Sequence, residues 1–227
     1  MAFEDLGTRV RDVRDRIDAA VARGGHGQAV RVIAVTKTHG PDAVEAAASC
    51  GISDVGENKV QEALDKMQAA TADVRWHLIG HLQRNKAKPA TQFSLVHSVD
   101  STRLADALHS AATQAGRVLD VLMQVNVVGE STKGGVSPDD VEALSLHAAG
   151  LSALRVKGVM CMAPFTDDER ALRFAFSGAR LALGRVRAAG HPAASELSMG
   201  MSNDYEVAVE EGATLVRLGT VLFGARS

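Results

Sequence analysis

Lys37 closes an apolar run, Val32-Ile33-Ala34-Val35-Thr36. A lysine at the end of a buried strand holds an amine at the mouth of a fold. Partial desolvation or nearby cations there lower its pKa and expose a nucleophile for Schiff-base formation. On spacing alone, a solvated surface lysine is the commoner outcome. Two further stretches carry chemistry of another kind. Ser198-Met199-Gly200-Met201-Ser202-Asn203-Asp204 and Arg217-Leu218-Gly219-Thr220 are small-residue turns leading from an apolar run into a helical segment. Backbone N–H groups at such turns, with the hydroxyls of Ser202 and Thr220, suit a phosphate. Taken singly, each turn reads more simply as helix capping.

Other patterns fail on their chemistry. Gly25-His26-Gly27 precedes a strand and lacks the third glycine of a dinucleotide fingerprint. Residues 129–135, GESTKGG, have no Lys-Ser/Thr after the second glycine and so form no P-loop. His77 and His81 are four apart with Gly80 between them and no HExxH, which argues against zinc. No GxSxG nucleophile elbow is present. Cys50 and Cys161 are too few and too far apart for a disulfide framework, and read as reduced core thiols.

The elements that must position Lys37 and the two turns repeat along the chain. Strand-length apolar runs occupy residues 30–36, 52–55, 76–79, 94–99, 118–125, 156–160, 196–199 and 214–218. Helical patterns lie between them at 41–49, 57–70, 101–115, 138–149, 167–189 and 204–211, with a short or broken helix at 83–90 because of Pro89. Several strands are continuous apolar runs, as a parallel sheet covered on both faces requires. Eight such units in 227 residues point to a closed (β/α)8 barrel. An open doubly wound sheet is the alternative, and periodicity does not separate the two. Before the barrel, Leu6, Val10, Val13, Ile17 and Val21 mark an amphipathic helix, with Arg11–Asp15, Asp12–Arg16 and Arg14–Asp18 as i,i+4 pairs on its outer face. No linker divides the chain, so the expectation is one domain over 1–227, with a helix and loop over 1–29 and the barrel over 30–227.

Composition narrows the function classes. Hydrophobic residues make 46% of the chain, and 25 basic against 27 acidic side chains leave a net charge of -2. That balance, with 4% aromatics, disfavours a nucleic-acid partner. The N-terminus has no apolar signal-peptide core, and no run approaches the roughly 18 apolar residues of a membrane span. The reading is a soluble, cytoplasmic chain that neither enters membranes nor binds nucleic acid. In a (β/α)8 barrel, working residues sit at the C-terminal ends of strands, and phosphate sites often follow strands seven and eight. A lysine after the first strand plus a phosphate cradle after the seventh and eighth describes an aldehyde phosphate bound as an imine. Pyridoxal 5′-phosphate (PLP) fits that description.

At these residues the sequence resembles the YggS/PROSC-like pyridoxal phosphate homeostasis family. The resemblance runs over AVTK (34–37), GENKVQE (56–62), WHLIGHLQRNK (76–86), HSVD (97–100), LSMGMSND (197–204) and VRLGTVLFGAR (216–226). Any one of these is weak; six in order are specific. The resemblance implies a barrel like the N-terminal domain of alanine racemase, with PLP held on Lys37 as an internal aldimine. It implies that Ser202, Gly219 and Thr220 hold the phosphate and that Arg217 faces the pyridine nitrogen. Asn58 and Ser198 would line the site. Arginine stays charged and only donates, so it leaves that nitrogen unprotonated. Lys133, in the loop after the fifth strand, is a further candidate for transient uptake of the cofactor.

Two functions compete on this reading. One is a non-catalytic carrier that buffers PLP and passes it to apo-enzymes. The other is a PLP-dependent racemase-like enzyme. Alanine racemases use a tyrosine base from a further C-terminal domain. Here the chain ends after the barrel's last segment, and its one tyrosine, Tyr205, does not match that base. The carrier is therefore expected, as a monomer. A cofactor-free Schiff-base aldolase on the same fold is a third reading, disfavoured by the whole motif set.

Overall fold

The apolar runs become strands that close in sequence order into one parallel barrel. They are β1 (Arg31–Val35), β2 (Asp54–Glu57), β3 (Arg75–Leu78), β4 (Leu95–Val99), β5 (Leu119–Val125), β6 (Leu154–Cys161), β7 (Glu196–Ser198) and β8 (Leu215–Leu218). The last strand returns to the first, with Ile33 beside Arg217, and Ile33 also registers with Asp54 on β2. This computed structural model describes residues 3–130 and 132–224. The expected (β/α)8 barrel with an added N-terminal helix is the fold.

The helices are α1 (Leu6–Gly24), α2 (Pro41–Ser49), α3 (Val60–Ala69), α4 (Ala87–Ala90), α5 (Thr102–Gln114), α6 (Val141–Ala149), α7 (Glu169–Ala188), α8 (Tyr205–Glu210) and α9 (Thr220–Phe223). Local chemistry sets their starts. Pro41 opens α2, where its missing N–H costs nothing. The Ser101 hydroxyl accepts from the Leu104 N–H at 3.3 Å to cap α5, and Asp168 accepts from the Arg170 N–H at 3.0 Å to cap α7. Pro89 confines α4 to a single turn behind a 3-10 turn at Arg84–Lys86. No described helix is long and apolar enough to cross a membrane.

Two boundaries depart from the sequence expectation. The second strand begins at Asp54 and runs on through Gly56 and Glu57, and α3 starts only at Val60. Asp54 and Glu57 are both buried, on opposite faces of the strand by its alternation. Their charges are matched by partners, so hydrophobicity marks the strand at 52–55 but not its end at Glu57. The face pairs expected on α1 are also absent among the described residues. Its arginines reach outward instead: Arg14 donates to Gly51 O at 2.8 Å, Arg16 pairs with Glu206, and Arg23 pairs with Glu206 and Glu210. Leu6, Val10, Val13, Ile17 and Ala20 are buried as α1 packs on α8 and α9. Each of the larger side chains contributes roughly 1.5–3 kcal/mol by leaving water.

The barrel interior is part apolar and part polar. Ile33, Leu95, Leu122, Met160 and Leu215 form an inner cluster distinct from the larger core under the helices. Beside them lie the buried side chains of Asp54, His77, His97, Ser198 and Arg217. Asp54 accepts from Arg75 Nη2 at 2.6 Å and Nε at 2.9 Å, lies 2.8 Å from His77 Nε2, and is also approached by Arg31. Burial alone raises its pKa, but hydrogen bonds from His77 and Arg75 outweigh this and hold the carboxyl well below the usual carboxylate range. Both cysteines are free; burial pushes the Cys161 thiol up to about 12.

Two tests of this architecture follow from its packing and its charges. A Cβ on Gly158 of β6 would stand 1.9 Å from Glu196 O of β7, whereas one on Gly184 of α7 meets nothing within 4 Å. Gly158→Ala is expected to lose about 3 kcal/mol, and Gly184→Ala to gain about 0.5–1 kcal/mol, read from urea midpoints at constant m. Asp54 has a depressed folded pKa. Its stabilisation is therefore fully present above the unfolded value near 3.9 and lost as pH falls through the folded value. Asp54→Asn is expected to cost about 3 kcal/mol at pH 7 and to flatten the loss of stability on acidification below about pH 4. Parallel acid limbs for the parent and the variant would contradict the assignment.

Candidate functional site

Strand alternation aims the candidate residues. Ile33 faces the barrel axis, so Val35 and Lys37 follow it on the same face; Leu215 likewise precedes Arg217 and Gly219. All four end at the C-terminal mouth of the barrel. There a cavity of about 710 Å³ is lined by Lys37, Asn58, Ser202, Arg217, Gly219 and Thr220. That size suits a small ligand. The remaining candidate, Ser198, is fully buried beneath the cavity and meets it through Arg217. Lys133 lies on the cavity wall, its Nζ donating to Glu130 Oε1 at 2.9 Å and to Ala163 O at 2.8 Å.

Arg217 sets the electrostatics. Only 5% of the residue is exposed. Its guanidinium donates to two neutral oxygens, Ser198 Oγ at 2.7 Å and Cys161 O at 2.9 Å. Burial pulls its pKa below the ordinary arginine value, and the Asp204 carboxylate opposes this through space. Arginine nonetheless remains a cation and a pure donor. A buried cation hydrogen-bonded to neutral groups at a cavity wall favours an anionic or electron-rich ligand.

Lys37 is fixed from behind, on the outer face of the barrel wall. The Thr36 hydroxyl donates to Glu57 Oε1 at 2.6 Å. Lys66 Nζ donates to Thr36 O and Glu57 Oε1, each at 2.7 Å, and to Glu62 Oε1 at 3.0 Å. Glu62 then accepts from the Thr38 N–H at 2.6 Å. Thr38 has φ of 69°, a left-handed conformation that a β-branched residue adopts at a cost of about 1–3 kcal/mol. The two residues flanking Lys37 are thus tied to one buried cluster. Burial raises the Glu57 pKa, with Lys66 and Thr36 opposing.

The two small-residue turns meet across the cavity. Ser202 Oγ accepts from the Gly219 N–H at 3.3 Å and the Val221 N–H at 3.2 Å, which joins the turn after β7 to the turn after β8. Asp204 Oδ1 accepts from the Met201 N–H at 2.6 Å and closes the first turn. Phe165 stands 90% exposed at the rim.

Several residues had no assigned role in the sequence reading. His77 is buried between Asp54 and His97, whereas His81 is exposed at the rim near Asp100, so the two histidines serve separate places. Among the described residues, no group of three or more His, Cys, Asp or Glu side chains forms a metal site. Glu57 and Glu62 stood in the GENKVQE motif but had no role assigned, and Lys66 gave no signal of its own. Tyr205 is buried on the outside of the barrel beside Arg16 of α1 and does not line the cavity.

Comparisons with known proteins agree with this geometry. The alanine racemase N-terminal domain family matches residues 10–227. The pyridoxal phosphate homeostasis protein of Aquifex aeolicus is 40% identical, the match covering 96% of this chain and 97% of that protein. The protein of the same name from Pseudomonas aeruginosa is 42% identical over 92% of this chain and 90% of its own. Among solved structures, PipY of Synechococcus elongatus with PLP bound superposes with a TM-score of 0.85 at 34% identity, covering 96% of this chain and all of PipY. The barrel, its lysine mouth and these relationships together place the chain in the alanine racemase N-terminal domain family, among the pyridoxal phosphate homeostasis proteins.

Proposed function

We propose that this protein binds pyridoxal 5′-phosphate covalently on Lys37 and serves intracellular vitamin B6 homeostasis without catalysis of its own. The observation that carries this is the meeting, in one cavity, of the Lys37 amine, the buried Arg217 guanidinium and the joined Ser202 and Thr220 turns. Those groups fit the cofactor's chemistry: an aldehyde for an amine, a ring nitrogen for a donor, a phosphate for hydroxyls and backbone N–H groups. The relatives' shared name and the PLP in PipY support the same ligand.

When bound, the cofactor supplies a reactive aldehyde and a pyridine ring that delocalises negative charge. The chain's own residues set how much of that chemistry is used. Lys37 would hold the cofactor through its amine. Arg217 would donate to the ring nitrogen and leave it unprotonated, which would make the ring a weaker electron sink. Ser202, Gly219 and Thr220 would hold the phosphate, and Asn58 would line the same cavity. Tyr205 is turned away from the cavity, so it supplies no second base for racemisation. The rim is open, with Phe165 and His81 in solvent, which favours exchange over water-excluded catalysis. We further propose a cytoplasmic monomer whose partners are PLP and, transiently, apo-enzymes that need it; the near-neutral charge favours neither nucleic acid nor membrane.

The binding claim is checked by adding PLP, recording the visible spectrum, reducing with borohydride and mapping the modified peptide. The expected result is a visible band, an adduct on Lys37, and loss of about 100-fold or more in affinity in Lys37→Ala, as removal of a covalent link implies. Adducts scattered over surface lysines would refute the site. Amino acids turned over at ordinary enzyme rates, about 10 per second, would refute the carrier. Lys133→Ala is expected to keep the band and slow transfer to an apo-enzyme; unchanged transfer kinetics would remove Lys133 from the path.

A further inference from the structure

A line of buried side chains crosses the barrel interior from Arg217 at the cavity to Asp54 near the opposite end. Arg217 Nη1 lies 2.7 Å from Ser198 Oγ, and Ser198 Oγ lies 2.8 Å from His97 Nδ1. His97 Nε2 lies 3.0 Å from His77 Nδ1, and His77 Nε2 lies 2.8 Å from Asp54 Oδ1. Asp54 is in turn clamped by Arg75 and Arg31. The His97 and Ser198 side chains are fully buried, and His77, Asp54 and Arg217 nearly so.

Proton counting gives this line one direction. Arginine only donates, so Ser198 Oγ accepts from Arg217. The single serine hydrogen is then available to His97 Nδ1. Burial drives the His97 pKa well below its ordinary value, so the ring is neutral. With Nδ1 accepting, its one proton sits on Nε2 and is donated to His77 Nδ1. His77 Nε2–H then donates to the Asp54 carboxylate. Each hydrogen and each acceptor is used once. The reverse pattern would aim two donors at Ser198 and require a second proton on His77 to meet Asp54.

We propose that His97, His77 and Asp54 are positioning residues for Arg217. Acting through Ser198, they hold the guanidinium so that its remaining N–H groups face the cavity. The role in ligand binding rests on the proposed function; the relay itself does not. Ser198 alone would leave its hydroxyl free to rotate, and the Cys161 carbonyl would be the guanidinium's one fixed partner. The chain of neutral imidazoles ending on a fixed carboxylate removes that freedom.

The first test uses the ligand-free protein and ¹⁵N NMR of its histidines and of the Arg217 guanidinium. The expected result is that His97 and His77 are both neutral with the proton on Nε2, and that Arg217 shows slowed Nη rotation. An imidazolium at either position, or a proton on His97 Nδ1, would overturn the relay. The second test compares His97→Phe, Ser198→Ala and Ser198→Thr with PLP added. His97→Phe and Ser198→Ala are expected to free the Arg217 guanidinium by NMR, shift the visible band, and weaken PLP binding by about tenfold. Borohydride should still mark Lys37 in both. Ser198→Thr, which keeps a hydroxyl, should restore the parent spectrum and affinity. If His97→Phe does not fold, Ser198→Ala against Ser198→Thr decides. Parent-like Arg217 dynamics and binding in Ser198→Ala would overturn the proposal. Failure of the parent to bind PLP on Lys37 would overturn the proposed function, and with it the ligand-binding role, while the NMR still decides the relay.

Discussion

A guanidinium held inside a barrel by neutral oxygens is the constraint to which the rest of the site answers. Removing a cation from water is expensive, and the cost falls only when every donor is met and opposite charge is near. Arg217 meets Ser198 and the Cys161 carbonyl directly, and Asp204 through space. Other barrel interiors fill such positions with stacked branched side chains. Here the apolar cluster of Ile33, Leu95, Leu122, Met160 and Leu215 shares the space with a polar line that ends on Asp54. The barrel therefore gives up part of an apolar core to hold a cation against its cavity.

The amine on the other side of the cavity is held by a different device. Lys37 projects inward, but its neighbours Thr36 and Thr38 are tied outward to Glu57, Glu62 and Lys66. Two polar clusters, one inside the strand wall and one outside it, thus fix the two ends of the site independently. Between them, Ser202 pins the turns after β7 and β8 to each other. The amine thus stands just past a strand end, whereas the hydroxyls of Ser202 and Thr220 stand on more adaptable turns.

Much of this was legible in the sequence because strand ends and small-residue turns leave local signatures. Lys37 after an apolar run, and the Ser202 and Gly219–Thr220 turns, are read from neighbours within a few residues. The alternation of runs pointed to a barrel but left an open doubly wound sheet as the alternative, and the pairing of β8 with β1 decides between them. What escaped was buried charge. Asp54 falls in the expected run at 52–55, yet nothing local marks its carboxylate as buried, and Glu57 reads as a helix start, because their partners Arg75, His77 and Lys66 come from elsewhere in the chain. His77 and His97 are 20 residues apart and meet only once β3 and β4 pair. The α1 arginines illustrate the same limit. The i,i+4 carboxylate of Arg16, Asp12, was visible, but Glu206 and Glu210 on α8, with which Arg16 and Arg23 pair, were not.

The central claim is that one cavity holds the cofactor between Lys37 and Arg217. A crystal structure of the protein soaked with PLP tests it most directly. The account predicts density continuous from Lys37 Nζ to the cofactor, the pyridine nitrogen within hydrogen-bond reach of Arg217, and the phosphate against Ser202 and Thr220. Cofactor density elsewhere on the surface, or a ring nitrogen facing Asp204 with Arg217 on the phosphate, would contradict it.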